Sequence, residues 1–146
     1  MAYQNILVPV DGSETAYAAI AKASEFAQAF GSKITLVQVL SLDPYIAEEY
    51  ISTRQTNDLI ERARSAILAS LNEAKARFNA QGIAVETLLV EGTVIHREIV
   101  KAAEKSHADL IIIGSHGRTG LKKLFLGSVA QSLLGESHTP VLIVRE

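Results

Sequence analysis

The sequence of 146 residues has no cysteine. That excludes a disulfide framework, thiolate catalysis and cysteine-ligated zinc. It has no long hydrophobic run. The longest apolar stretch near the start, Ile6 to Val10, is too short for a signal peptide or a membrane span, and no basic segment precedes it. The expected location is therefore cytoplasmic, without membrane insertion. It also lacks an excess of either charge. The formal net charge is −2, which provides no broad field to attract nucleic acid or an anionic membrane, so any anion site has to be local. Several familiar motifs are missing as well. There is no G-x-G-x-x-G after the first apolar run, no G-x-x-x-x-G-K-[ST], and no G-x-S-x-G elbow. A receiver domain would need an acidic pair, an Asp and a Lys after its first, third and fifth strands. The chain offers Asp11, Glu91 and Arg145 at those places.

What is present is an ordinary globular composition, 48% hydrophobic and 21% charged, of one domain's length, so residues 1–146 are read as a single domain. Five short apolar runs rich in β-branched residues read as strands: Ile6–Val10, Ile34–Leu40, Val85–Val90, Leu110–Ile113 and Val141–Val144. The first and fourth are apolar at nearly every position, as parallel strands covered on both faces are. Helical spacing fills the gaps. Ala16, Ile20, Ala23, Ala27 and Phe30 are followed by Gly31 as a stop. Ile60, Ala63, Ile67, Leu71, Ala74 and Phe78 are followed by Gly82. Ile95, Ile99 and Ala102 or Ala103 mark a third helix, and a fourth is expected to run from near Gly127-Ser128 to near Gly135. Strands alternating with helices imply an α/β fold with an open parallel sheet and right-handed crossovers. The irregular stretch from Ser41 to Asp58 reads as a surface loop or a cover.

In such a sheet, ligands gather beyond the carboxyl ends of the strands. After the first strand comes Pro9-Val10-Asp11-Gly12-Ser13. Pro9 lacks an N–H and belongs at a strand end. Ser13 suits a helix N-cap. Asp11 can accept from a ribose hydroxyl or hold Mg²⁺ through water, or the segment can be only a turn and a cap. After the fourth strand comes Gly114-Ser115-His116-Gly117-Arg118-Thr119-Gly120, with Lys122 and Lys123 following. Glycine lets the backbone approach a ligand, and consecutive amides form an anion-binding concavity. Gly127-Ser128 opens the next helix, whose first-turn amides and dipole favour a phosphate. Two phosphate-binding devices thus flank one connection, whereas the blander alternative gives the glycines only turns to shape. None of the histidines His96, His107, His116 and His138 shares metal-ligand spacing with another. His116 is either a phosphate donor or an exposed loop residue.

Gly114-Ser115-His116-Gly117, then nine residues, then Gly127-Ser128 resembles the universal stress protein pattern G-x₂-G-x₉-G-[S/T]. Ile6 to Ser13 and Thr139 to Val144 resemble that family's opening and close. The resemblance covers essentially the whole chain and, because the full glycine pattern is kept, is to the ATP-binding subgroup. It implies a five-stranded parallel sheet in the order 3-2-1-4-5, an adenine nucleotide alpha hydrolase-like variant of the Rossmann-like fold. It implies ATP, with or without Mg²⁺, at the switch between the first and fourth strands. Pro9, Val10 and Asp11 would then touch the adenosine, with Asp11 near ribose or metal. Val39 would border the adenine and Ile113 would line it. Gly114, Gly117, Gly127, Ser128 and Val129 would hold the phosphates, with Arg118 beside them. The resemblance also implies a homodimer joined through Val141–Val144, an apolar edge without a charge until Arg145. The absence of a proline in Gly92-Thr93-Val94-Ile95-His96 departs from the pattern and leaves the start of the third helix open. The function expected is that of a nucleotide-responsive stress-response regulator acting on an unidentified protein partner. An ATPase or phosphotransferase, with Ser115, Thr119 or Ser128 as acceptor, and a nucleotide-free dimeric adaptor are the alternatives.

Overall fold

The structure is a computed structural model that describes residues 2–42, 53–116 and 126–145. Strands β1 (Asn5–Pro9), β2 (Lys33–Ser41), β3 (Val85–Gly92), β4 (Leu110–Gly114) and β5 (Val141–Val144) alternate with helices. The helices are α1 (Glu14–Phe30), α2 (Thr53–Asn79), α3 (Ile95–Lys105) and α4 (Ser128–Glu136). All strand pairings are parallel, in the order β3-β2-β1-β4-β5. The α/β class and strand order are those expected.

Period-two alternation sends side chains to two separate cores. Ile6, Val8, Ile34, Leu36, Leu40 and Ile112 pack with α1 and α2. Leu7, Val37, Ile111 and Ile113 pack with Ile99, Ala102 and Ala103 of α3 and Leu133 of α4. The first cluster also takes in Ala19 and Ala23 of α1 and Leu71 and Phe78 of α2, all 5% exposed or less. Small residues on α1 let it lie close to the sheet, which matters for the site below.

The helix boundaries follow from local chemistry. Ser13 caps α1 by accepting from the Ala16 amide. Gly31 ends it in a left-handed conformation, φ 68°, and its N–H returns to the Ala27 carbonyl. Gly82 does similar work after α2, with φ 75°. The third helix needs no proline. It starts after Val94, whose side chain makes no cap, and Glu98 sits favourably in its first turn. The fourth helix ends at Glu136, one residue past Gly135 and as expected. Of the stretch from Ser41 to Asp58 expected as a loop, Ser41 instead closes β2 and Thr53 to Asp58 belong to α2. The middle of that stretch lies outside the described residues.

Both sheet edges are visible in the register. At β3, Glu86 pairs with Lys33 and Glu91 with Arg64, so that edge is charged. At β5, the Pro140 and Val144 carbonyls accept from Ile111 of β4 and from Ser115 just past its end. By alternation, the backbone groups of Val141 and Ile143 face outward along an uncharged edge.

Candidate functional site

The central strands part where the sequence dictates. The ladder between β1 and β4 pairs Ile6 with Leu110 and Leu7 with Ile111, then stops. Val10 donates to the Val37 carbonyl of β2 at 2.8 Å, so the nitrogen of its neighbour Pro9 faces β4. Pro9 has no hydrogen to donate there, and the ladder cannot continue. A crevice therefore opens between the carboxyl ends of β1 and β4, the switch point of this strand order.

One wall is the β1–α1 turn. Gly12 adopts φ 80°, and the Asp11 Oδ1 accepts the Ser13 amide at 2.9 Å. The turn-and-cap chemistry is real, and it also holds Asp11 at the crevice. Beyond Val10 the chain leaves the sheet. The Val39 amide and carbonyl have the same orientation as those of Val37, towards β1, but lie past its end. Among the described residues no backbone partner takes them up. Val39 thus presents one donor and one acceptor, the pair that an adenine edge can satisfy. The Val39 side chain and Ile113 both belong to the core beneath α3 and α4, and Ile113 is 8% exposed.

The opposite wall is the end of β4 and the start of α4. Its glycines do different jobs. A Cβ on Gly114 would lie 2.8 Å from both the Cβ and the carbonyl oxygen of Thr15, so Gly114 is small because α1 crosses β4 there. A Cβ on Gly127 would stand 3.1 Å from the His116 Cα. The Gly127 N–H is already spent on the Ser115 carbonyl at 2.7 Å. Gly127 has extended backbone, φ −64° and ψ 159°, and makes no side-chain cap. The first-turn amides of Ser128, Val129 and Ala130 have no intrahelical partner. They are the donors that this helix end offers to an anion. Gly127 brings them up against β4 and does not supply a donor itself.

His116 Nδ1 lies 3.1 Å from the Ser115 hydroxyl, which is buried. His116 is half-buried, so it is not the exposed loop residue of the simpler reading. Thr15, 2% exposed, donates its hydroxyl to the His116 carbonyl. No sequence motif singled Thr15 out. Its only advance signal was a hydroxyl two residues past a good N-cap. Gly117, Arg118 and Thr119, assigned from sequence to the phosphate loop, lie outside the described residues, as do Gly120, Lys122 and Lys123. Among the described residues no group of three or more metal-ligating side chains is assembled, so Asp11 stands without a carboxylate cluster. No helix among them is long and apolar enough to cross a membrane.

Residues 2–145 match the model of the universal stress protein family. Universal stress protein MJ0577 of Methanocaldococcus jannaschii is 32% identical over 155 residues, covering 98% of this chain and 95% of the relative. Universal stress protein MJ0531 of the same organism is also 32% identical, covering 99% and 83%. The solved structure of MJ0577 superposes with a TM-score of 0.88, covering 100% of this chain and 98% of that one. A universal stress protein solved in complex with cAMP superposes with a TM-score of 0.73 at 27% identity, covering 99% and 98%. With its strand order, its parted central strands and this full-length match, the chain belongs to the universal stress protein family.

Proposed function

We propose that this protein is a nucleotide-responsive regulator that binds ATP in the crevice between β1 and β4. The observation that carries the reading is the parting of these strands at Pro9, with unpartnered backbone groups on either side. Val39 offers a matched donor and acceptor for the adenine edge. Pro9 to Asp11 form the floor beneath the ribose, with the Asp11 carboxylate as acceptor for its hydroxyls. The amides of Ser128, Val129 and Ala130 receive phosphate oxygens with the positive end of the α4 dipole behind them. Gly117 and Arg118 complete that anion site. Mg²⁺, when it accompanies the nucleotide, is held by phosphate oxygens, water and Asp11, since a magnesium ion keeps most of its waters. The relative solved with cAMP supports an adenine nucleotide as the ligand class.

The regulatory reading is supported by a site built of positioned donors. The Ser115 hydroxyl is buried against His116. Binding needs only positioned donors, and occupancy then sets conformation or choice of partner. A homodimer through Val141–Val144 fits the same reading, because the β5 edge is uncharged where the β3 edge is guarded by Glu86 and Glu91.

The test is to denature the purified protein, chromatograph the released small molecules, and titrate the stripped chain with Mg-ATP while following its melting temperature. The expected result is copurified adenine nucleotide or a ligand-dependent rise in melting temperature. Finding neither refutes the proposal. Multiple-turnover phosphate release would make the chain an enzyme instead.

A further inference from the structure

We propose that Thr15 is a positioning residue that latches the phosphate-binding wall of the crevice to the adenosine-binding wall. The inference rests on the nucleotide reading above and extends it to how the two walls are kept in register.

Three hydroxyl and amide contacts form one directed chain. A carbonyl only accepts, so the bond between the Thr15 hydroxyl and the His116 carbonyl uses the single Thr15 proton. The Ser13 hydroxyl, 3.0 Å from Thr15 Oγ1, must then be the donor of that pair. Ser13 Oγ in turn accepts the Ala16 amide at 3.3 Å, and the Ser13 amide donates to Asp11. The directed chain runs from the Ala16 amide through the Ser13 and Thr15 hydroxyls to the His116 carbonyl, and the separate Ser13 amide ties Asp11 to the same turn. Hydrogen bonds aligned in this way strengthen one another.

The end of the chain is where the leverage lies. Ser115 accepts the Gly127 amide, and Gly127 packs against the His116 Cα. Holding the His116 carbonyl therefore holds the place where α4 starts, and with it the amides of Ser128 to Ala130. The adenosine wall does not depend on this bond. Pro9 and Val10 are fixed by the β1–β2 ladder, and Val39 by its pairing with Val90 of β3. Thr15 also has no room to turn away, because it is buried with its Cβ against Gly114.

Thr15→Val keeps the shape and removes the hydroxyl, and Thr15→Ser keeps the hydroxyl. Titration calorimetry with Mg-ATP and with adenosine separates the two walls. Thr15→Val is expected to weaken ATP about tenfold, the equivalent of one hydrogen bond, while adenosine binds as in the wild type. Thr15→Ser restores the ATP affinity. In the nucleotide-free protein, exchange of the Gly127 amide with solvent should quicken in Thr15→Val and not in Thr15→Ser. If Thr15→Val does not fold, Thr15→Ala compared with Thr15→Ser provides the same contrast. Unchanged ATP affinity, or equal loss of ATP and adenosine, overturns the latch while leaving the nucleotide reading intact. A wild-type chain that binds neither ligand overturns the nucleotide reading and the positioning role together.

Discussion

Replacing Gly114 by alanine separates two explanations for a glycine at the end of β4. If the glycine serves only a ligand, the nucleotide-free protein should not notice a methyl group there. The structure says otherwise. The added Cβ would stand 2.8 Å from the Thr15 carbonyl oxygen, 2.8 Å from its Cβ and 2.9 Å from its carbonyl carbon. Two of these atoms are backbone, so no rotamer change relieves the clash and α1 as a whole must move off the sheet. Overpacking of this kind costs about 3 kcal/mol, the upper part of the usual range, because helix backbone is displaced. Unfolding entropy of roughly 2.1 cal/mol/K per residue gives about 0.3 kcal/mol/K for this chain, so the melting temperature should fall by about 10 °C. Thermal and urea unfolding of the stripped protein, followed by far-ultraviolet circular dichroism, measures this directly. The urea midpoint should drop with its slope unchanged. A variant within about 0.5 kcal/mol of the wild type, the usual scatter of an innocuous surface change, would refute the close crossing of α1 over β4.

The same substitution at Gly135 should have the opposite sign. That glycine is inside α4 with nothing within 4 Å of its missing Cβ, so alanine should stabilise by about 1 kcal/mol in the same melts, and a loss would show that α4 ends before it. Gly127→Val should push the first turn of α4 away from His116, since even a Cβ there lies at 3.1 Å. Calorimetry should then register no ATP binding, with size-exclusion chromatography unchanged, and wild-type affinity would defeat the assignment. Ile143→Pro deletes an outward-facing N–H of β5 without cutting a bond to β4. Sedimentation velocity should show the dimer weakened by at least about tenfold, the value of one lost interstrand hydrogen bond, and a dimer of full strength would place the interface elsewhere.

Much of the fold was legible in the sequence because its signals are local. Runs such as Leu110–Ile113 are apolar at every position only when both faces of a strand are covered. Gly31 and Gly82 stop their helices because each adopts a left-handed conformation that residues with a Cβ avoid. The fourth helix ends at Glu136, beside the glycine that marked its expected end, with Leu133 buried in the core. The start of α3 was left open by the missing proline, and burial of Ile99, Ala102 and Ala103 against the sheet provides what Val94, without a capping side chain, does not.

By itself the sequence determined the strand and helix periods, the proline that ends β1, and the glycines that let backbone come close. These depend on properties of single residues and their spacing, which no later packing can alter. Only the tertiary structure decided what each glycine is close to: Gly114 to Thr15 and Gly127 to His116. It also decided that Gly127 gives its amide to Ser115 and that Thr15 ties one wall of the crevice to the other. Thr15 and His116 are separated by 101 positions in the chain, and a hydrogen bond across that distance exists only once the sheet has brought the ends of β1 and β4 together.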